Sequence, residues 1–265
     1  MIDWRLGTVG FGYDDWSGVF YPKELKSTDY LSVYSRYFDA VELDTTFHAA
    51  PTAERVTRWA EATPVEFRFC VKTPKDITHA AGPPGIAGRV RPMLEFVEAI
   101  RMFGEKLGVV LIQFPPSFDA GATKELGTFL EALPDDVRFA VEFRNPSWDT
   151  EHTAELLREH ACGWVAADYL TREPWEITAT SDFLYVRWVG RHGQYPTLDK
   201  ERIDPTERLK WWKRRIDTCK DVRTVWGFFN NDYTGYAIGT ANRMKRLVGQ
   251  QVRTPESPQQ GDLFK

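Results

Sequence analysis

The chain has 265 residues, 42% of them hydrophobic and 27% charged, which suits one α/β barrel domain and excludes wholesale disorder. Its net charge of -4 argues against a generally basic nucleic-acid-binding surface, though not against a local basic groove. Cys70, Cys162 and Cys219 give no disulfide framework, no signal-peptide pattern opens the chain, and no apolar run approaches the ~18 residues of a membrane helix, so a cytoplasmic protein with no membrane partner is expected.

Eight short runs rich in β-branched and aromatic residues read as buried parallel strands, over 5–9, 40–43, 67–71, 109–113, 139–143, 163–167, 184–189 and 224–229. Amphipathic stretches at 29–37, 52–61, 93–107, 123–133, 151–159, 205–219 and 236–247 alternate with them. Alternation of this kind implies βαβ crossovers, and eight units without a composition break predict a closed (β/α)8 TIM barrel as a single domain over residues 1–248. The sixth helix is expected to be missing or short, because little chain separates the sixth and seventh strands and it contains Pro174 and Trp175. The Gly- and Pro-rich stretch 80–92 reads as a long loop over the ligand face. A polar, Pro-rich tail over 249–265 is expected to be flexible.

In such a barrel the reacting groups sit where strands end, because the interior is packed and the βα loops form the concave mouth. Strand one runs out through Gly10-Phe11-Gly12-Tyr13 to Trp16. Strand two ends in Glu42-Leu43-Asp44-Thr45-Thr46-Phe47-His48, and strand three in Lys72 with Thr78-His79 beyond. Strand four ends in Gln113-Phe114-Pro115-Pro116, and strand five in Glu142-Phe143-Arg144 followed by Trp148. Strand six ends at Asp168-Tyr169, strand seven carries Arg187, and strand eight leads into Asn230-Asn231-Asp232. Glu42 and Glu142 each follow a valine, Val41 and Val141. If those valines face the helices, both carboxylates face the barrel axis, with Arg144 on the same side as Glu142. Axial carboxylates need partners, and Lys72, Arg144 and Arg187 are the candidates. The plain reading is a structural ion network, and the functional one is general acid/base work by one carboxylate.

His48, His79 and His192, with Glu42, Glu142 and Asp168, could hold a single divalent metal ion, but no His-x-His or Asp-x-His pair supports a multinuclear site. No GxSxG, GxxxxGK[ST] or HExxH motif is present. The segment Lys210-Trp211-Trp212-Lys213-Arg214-Arg215 interleaves bases and aromatics as a single-strand-binding surface would, although a solvated amphipathic helix with inward tryptophans is the better default. The terminal string Gln260-Gly261-Asp262-Leu263-Phe264-Lys265 resembles the short peptide that docks replication and repair proteins on the bacterial sliding clamp.

Ordered strings along the chain carry a wider resemblance. They are Gly10-x-Gly12-x-x-x-Trp16-x-Gly18-x-Phe20-Tyr21-Pro22, Val41-Glu42 with Thr46-Phe47, and Phe69-x-Val71-Lys72-x-Pro74 with Ile77-Thr78-His79. Further on come Leu111-x-Gln113-x-Pro115-Pro116-Ser117-Phe118, Val141-Glu142-Phe143-Arg144 with Ser147-Trp148, Tyr185-Val186-Arg187, and Phe229-Asn230-Asn231-Asp232 with Gly235 and Ala237. Together they resemble the YecE-like family (domain of unknown function 72) over about residues 5–247. The resemblance implies a barrel similar to the endonuclease and sugar-isomerase barrels and names no reaction. Position 48 departs from it: a tyrosine is commonest there and this chain has His48, which argues against an essential role for that side chain.

The leading expectation is therefore an enzyme acting on a phosphorylated or polyhydroxy substrate, a nucleic-acid phosphodiester being one such class. Glu142, Glu42, Lys72, His79 and Asp168 are the candidate catalytic residues. Trp16, Thr46, Gln113, Arg144, Trp148, Arg187, Asn230 and Asn231 are the candidate substrate-binding residues. The competing expectations are a non-catalytic nucleic-acid-associated adaptor, or one docked on the sliding clamp through Gln260, Leu263 and Phe264, and a small-molecule sugar isomerase or lyase.

Overall fold

The computed structural model describes residues 2–79, 85–170 and 177–253. Eight parallel strands form the wall of the barrel: β1 (Asp3–Thr8), β2 (Ala40–Leu43), β3 (Arg68–Lys72), β4 (Leu107–Gln113), β5 (Arg138–Glu142), β6 (Gly163–Asp168), β7 (Phe183–Trp188) and β8 (Thr224–Phe229). Helices lie between them: α1 (Tyr30–Tyr34), α2 (Ala53–Glu61), α3 (Lys75–Thr78), α4 (Val90–Ile100), α5 (Thr123–Glu131), α6 (Glu151–Glu159), α7 (Thr206–Asp217) and α8 (Ala237–Leu247). The strands follow one another around the sheet, with β1 also paired to β8 through the full register from Asp3↔Thr224 to Thr8↔Phe229. This is an α/β barrel of the TIM type.

Closure at the β1/β2 seam is made in a particular way. Among the described residues only the Val9↔Glu42 bridge pairs the two backbones in ladder fashion, and Gly10 N donates to Glu42 O beside it at 2.8 Å. Lower in the seam the hydroxyl of Tyr34, on α1, takes the place of a ladder rung. It accepts from Thr8 N at 2.9 Å and donates to Ala40 O at 3.1 Å. Buried backbone groups must be paired, and a phenol inserted from outside satisfies both strands at once. Gly7 stands at the same seam because a Cβ there would lie 2.0 Å from Ala40 O.

Strand alternation divides the apolar side chains into two cores. One fills the barrel, with Ala40, Cys70, Leu111, Ala140, Val165 and Tyr185 among its members. The larger one packs strands against helices and includes Val41, Val141, Trp148 and Trp212. Thr52 and Thr150 start α2 and α6 by accepting from the backbone N–H three residues on, as side-chain oxygens at helix starts do. All three cysteines are free.

Several local expectations are corrected. Part of the loop expected over 80–92 is helical: α4 begins at Val90 with Pro92 in its first turn, where a missing N–H breaks no helical bond. The helix expected to run to 107 ends at Ile100 and continues as a tighter 3-10 stretch, Arg101–Lys106, turned by Gly104 at φ 56°. The short α3 was not expected. Between β6 and β7 no helix occurs among the described residues, and Trp164 and Ala166 on the outer face of β6 stay half-exposed. After Gly249 stops α8 in a left-handed conformation (φ 79°), the chain does not leave the domain at once. Gln250 Nε2 donates to Trp4 O at 2.6 Å and Arg253 Nη1 to Arg36 O at 3.2 Å. The clamp-like string at 260–265 lies outside the described residues.

Candidate functional site

Each interior residue near the top of a strand is followed, two positions later, by the side chain that forms the uppermost layer of the barrel. Ala40 leads to Glu42, Cys70 to Lys72, Leu111 to Gln113, Ala140 to Glu142 and Tyr185 to Arg187. These five side chains of the top layer are polar and buried: Glu42 at 0%, Glu142 at 1%, Gln113 at 2%, Arg187 at 3% and Lys72 at 9% exposure.

Arg187 is the hub of this layer. Its Nη2 and Nε donate to the two oxygens of Glu42 at 2.6 and 2.9 Å, and its Nη1 donates to Glu142 Oε2 at 2.6 Å. Tyr185 completes Glu42 by donating at 2.8 Å. On the other carboxylate, Glu142 Oε1 accepts from the Tyr169 hydroxyl at 2.5 Å and from Arg144 Nε at 3.3 Å. Burial alone would raise the Glu142 pKa, but Arg187, Arg144 and the Tyr169 hydrogen bond bring it down to about 2. A carboxylate so held stays ionised and is a poor proton carrier near neutrality. That setting speaks against general acid or base work by Glu142.

Lys72 has a different setting. Its ammonium lies 4.0 Å from the centre of the Phe47 ring, and among the described residues no carboxylate or other acceptor is paired with it. Burial, then the charge of Arg187, lowers its pKa to about 8, outweighing Glu142 and Glu42. The Phe47 ring also stands edge-on to His79, with centroids 4.9 Å apart. His79 Nδ1 is 2.8 Å from Thr78 Oγ1, and burial, then Lys72, lowers its proton affinity. Phe47 is set in place by its neighbour: Thr46 Oγ1 bonds to Lys72 O at 2.6 Å and Leu43 O at 2.9 Å, tying the ends of β2 and β3 together. Asp44, half-buried on the same loop, is raised in pKa by burial and then by Glu42. Lys72, brought down to about 8, is therefore the group here that can exchange protons near neutral pH.

Gln113 faces the same space from β4, in register with Glu142, and its Oε1 is buried without a hydrogen bond among the described residues. A buried acceptor left unpaired is uncommon and marks a place where a donor is wanted.

The sequence matches the family model "Protein of unknown function DUF72" over residues 5–262. The chain belongs to the DUF72 family. It is 30% identical to the UPF0759 protein YunF of Bacillus subtilis over 98% of this chain and 99% of that one. It is 33% identical to the UPF0759 protein YecE of Escherichia coli over 53% of this chain and 50% of that one. Among solved structures it resembles a DUF72 family protein of Thermotoga maritima, at 29% identity and TM-score 0.76, over 94% of this chain and all of that one. A DUF72 family protein of Enterococcus faecalis has the same fold, with TM-score 0.75 at 21% identity, over 96% of this chain and 98% of that one. The match to the DUF72 model runs on to residue 262 instead of stopping near 247, so all but the last three residues of the tail expected over 249–265 belong to the matched region.

Other candidate residues of this DUF72 barrel stand outside the axial cluster. Asp168 is one step out of phase with the interior residue Val165, so it faces the helices. There it accepts from Arg208 Nε at 2.7 Å, Trp212 Nε1 at 2.7 Å and Tyr233 Oη at 3.0 Å, and it anchors α7 and the β8 loop rather than the mouth. Trp16 is fully buried and donates to Asn231 Oδ1 at 3.2 Å, an atom that also accepts from Ala237 N at 2.9 Å. Trp148 is fully buried against Phe143 and donates to Phe118 O at 2.8 Å. Asn230 Oδ1 accepts from Asp232 N at 2.9 Å and shapes its own turn. These five hold the βα loops.

The metal set of the sequence reading is not assembled: both glutamates are clamped by Arg187, Asp168 faces away, and His192 is fully exposed beside Asp232. Among the described residues no three His, Cys, Asp or Glu side chains converge. The basic-aromatic segment of α7 is an amphipathic helix. Trp212 is buried, Lys210 pairs with Glu207 and Lys213 with Asp217. No described helix is long and apolar enough to cross a membrane. Tyr185, Tyr169, Asp44 and Phe47 were missed as site residues. Tyr185 was legible, since it stands two residues before Arg187 on the same face.

Proposed function

We propose that this barrel is an enzyme for a small phosphorylated or polyhydroxy substrate, bound over the axial charge cluster. The observation that carries this reading is a cation, Lys72, and an amide oxygen, Gln113 Oε1, buried on the neighbouring strands β3 and β4 without an ion pair or hydrogen bond among the described residues. Glu42 and Glu142 already have their ion-pair partners in Arg187 and Arg144, and Asp44 acts on Lys72 through its charge without a salt bridge, so Lys72 has no ion pair of its own among the described residues. Burying an unpaired ammonium is unfavourable, and an arriving anion relieves it. Arg144, with 35% of its side chain exposed, offers a second cation at the edge of the layer. A substrate hydroxyl would donate to Gln113, while Lys72 handles protons. Glu42, Glu142 and Arg187 form the fixed frame beneath them.

The test is binding of glycerol 3-phosphate, inorganic phosphate and a short phosphodiester, by calorimetry and thermal shift. A phosphate-bearing polyol should raise the unfolding temperature and bind more tightly than phosphate alone, and Lys72→Met with Arg144→Met should abolish that binding while the fold persists. A flat response to all three compounds would remove the support for this reading. Preference for the phosphodiester would move it toward nucleic acid.

A further inference from the structure

We propose that Lys72 is a covalent nucleophile, forming an imine with the carbonyl group of a small phosphorylated aldehyde or ketone. This rests on the proposed function and names the substrate class within it.

The geometry supplies what such a lysine needs. The side chain rises from the end of a barrel strand, and Thr46 fixes the backbone at Lys72 itself. An aromatic face attracts the ammonium without accepting its proton or occupying the nitrogen lone pair once the proton has left. Glutamate in that position would form a salt bridge and keep the amine cationic. The groups around it are spread over the neighbouring elements: Glu42 and Asp44 from β2, His79 after α3, Glu142 and Arg144 from β5, and Arg187 from β7. The two glutamates are occupied by Arg187, Arg144, Tyr185 and Tyr169, so neither competes for the amine. With its pKa near 8, about a tenth of the lysine is neutral at pH 7 and half at pH 8.

The neutral amine attacks the carbonyl carbon, its lone pair forming the C–N bond as the carbonyl π pair moves to oxygen. The nitrogen, cationic after the attack, passes one of its protons to that oxygen, and a second proton from solvent lets it leave as water. The nitrogen lone pair closes the C=N bond, and the protonated imine so formed reaches the neutral imine by returning one proton to solvent. The balance is one amine and one carbonyl giving one imine and one water, with no oxidant or reductant. Arg144 would hold the phosphate, and a protonated imine would keep the positive charge over Phe47.

The test uses the full chain at pH 8 with dihydroxyacetone phosphate or glyceraldehyde 3-phosphate and sodium cyanoborohydride, which reduces an imine to a stable secondary amine. Intact mass should increase once, by the mass of the carbonyl compound less one oxygen, and peptide mapping should place the change at Lys72. Labelling there should exceed that at exposed Lys75 by at least about tenfold, because an ordinary lysine is neutral in only roughly one molecule in three hundred at this pH. The rate should rise through pH 8, and glycerol 3-phosphate, which has no carbonyl, should slow it. Lys72→Arg should lose the adduct and keep binding of glycerol 3-phosphate. Adducts scattered over surface lysines, or none at Lys72 while glycerol 3-phosphate still binds, would overturn the imine and leave the anion-binding reading standing. Failure of glycerol 3-phosphate and both carbonyl compounds to bind would overturn the two together.

Discussion

Arg187 and Lys72 are both cations in the top layer of the barrel, yet removing them should act in opposite directions. Replacing Arg187 by methionine leaves Glu42 buried without an ion-pair partner and Glu142 with Arg144 alone, because the same guanidinium serves both at 2.6 Å. Breaking a buried ion pair from one side typically costs about 3–5 kcal/mol, so Arg187→Met should lower the urea midpoint severely or fail to fold. Lys72→Met removes a cation with no carboxylate partner and leaves an isosteric chain against Phe47. A lysine whose pKa falls from 10.5 to about 8 on folding opposes folding below pH 8, so Lys72→Met should stabilise by up to roughly 3 kcal/mol at pH 7. Urea unfolding of the two variants decides the matter. A destabilised Lys72→Met would show that the lysine is a structural counter-charge. Stability held back at the residue that the chemistry needs is the pattern expected of a working site.

At the scale of elements, the strands were legible because buried parallel strands are written as unbroken β-branched and aromatic runs, and β2 and β8 fall where the runs do. The outward turn of Asp168 was legible too, through its offset from Val165, but a reading that treats every strand-end residue as facing the mouth loses it. The clamp on Lys72 by Phe47, and the burial of Trp16 and Trp148 under loops, were not legible. They depend on how βα loops fold back, which periodicity does not encode. Nor was the seam between β1 and β2, since nothing in the short helix α1 announces that Tyr34 will reach both backbones. Tyr34→Phe keeps the ring and removes the rung, leaving Thr8 N–H and Ala40 C=O unpaired. The expected loss is about 1–3 kcal/mol, with faster amide exchange at Thr8 and little change in ligand binding. Exchange at Thr8 no faster than in the parent would mean that water or a β1/β2 shift replaces the hydroxyl.

Taken over the whole molecule, these buried groups set the pH range of stability. The Glu142 pKa drops from 4.5 to about 2 on folding, so its contribution is complete above pH 4.5 and disappears as the pH falls toward 2. His79, whose proton affinity is lowered from 6.5 by burial and then by Lys72, adds a loss that starts below pH 6.5. Asp44, raised from 3.8 by burial and then by Glu42, works the other way: its contribution is present below pH 3.8 and lost as the pH rises through its folded value. On the alkaline side Lys72 opposes folding less as the pH climbs from 8 toward 10.5, and Lys245, lowered by burial, acts in the same sense. That gain is cut short by the buried phenols. Tyr34, Tyr185 and Tyr233 are raised above 10 chiefly by burial, so their contribution is full below pH 10 and lost above it as the unfolded chain ionises first. Urea midpoints against pH should therefore fall below pH 4.5, rise modestly between 8 and 10, and collapse above 10. Glu142→Gln should flatten the acid limb at the expense of overall stability, because Arg187 loses half of its compensation. Lys72→Met should shrink the rise between 8 and 10 and leave both outer limbs in place. An unchanged rise in that variant would assign it to Lys245 and other lysines, and Lys72 would then carry an ordinary proton affinity incompatible with the nucleophilic role.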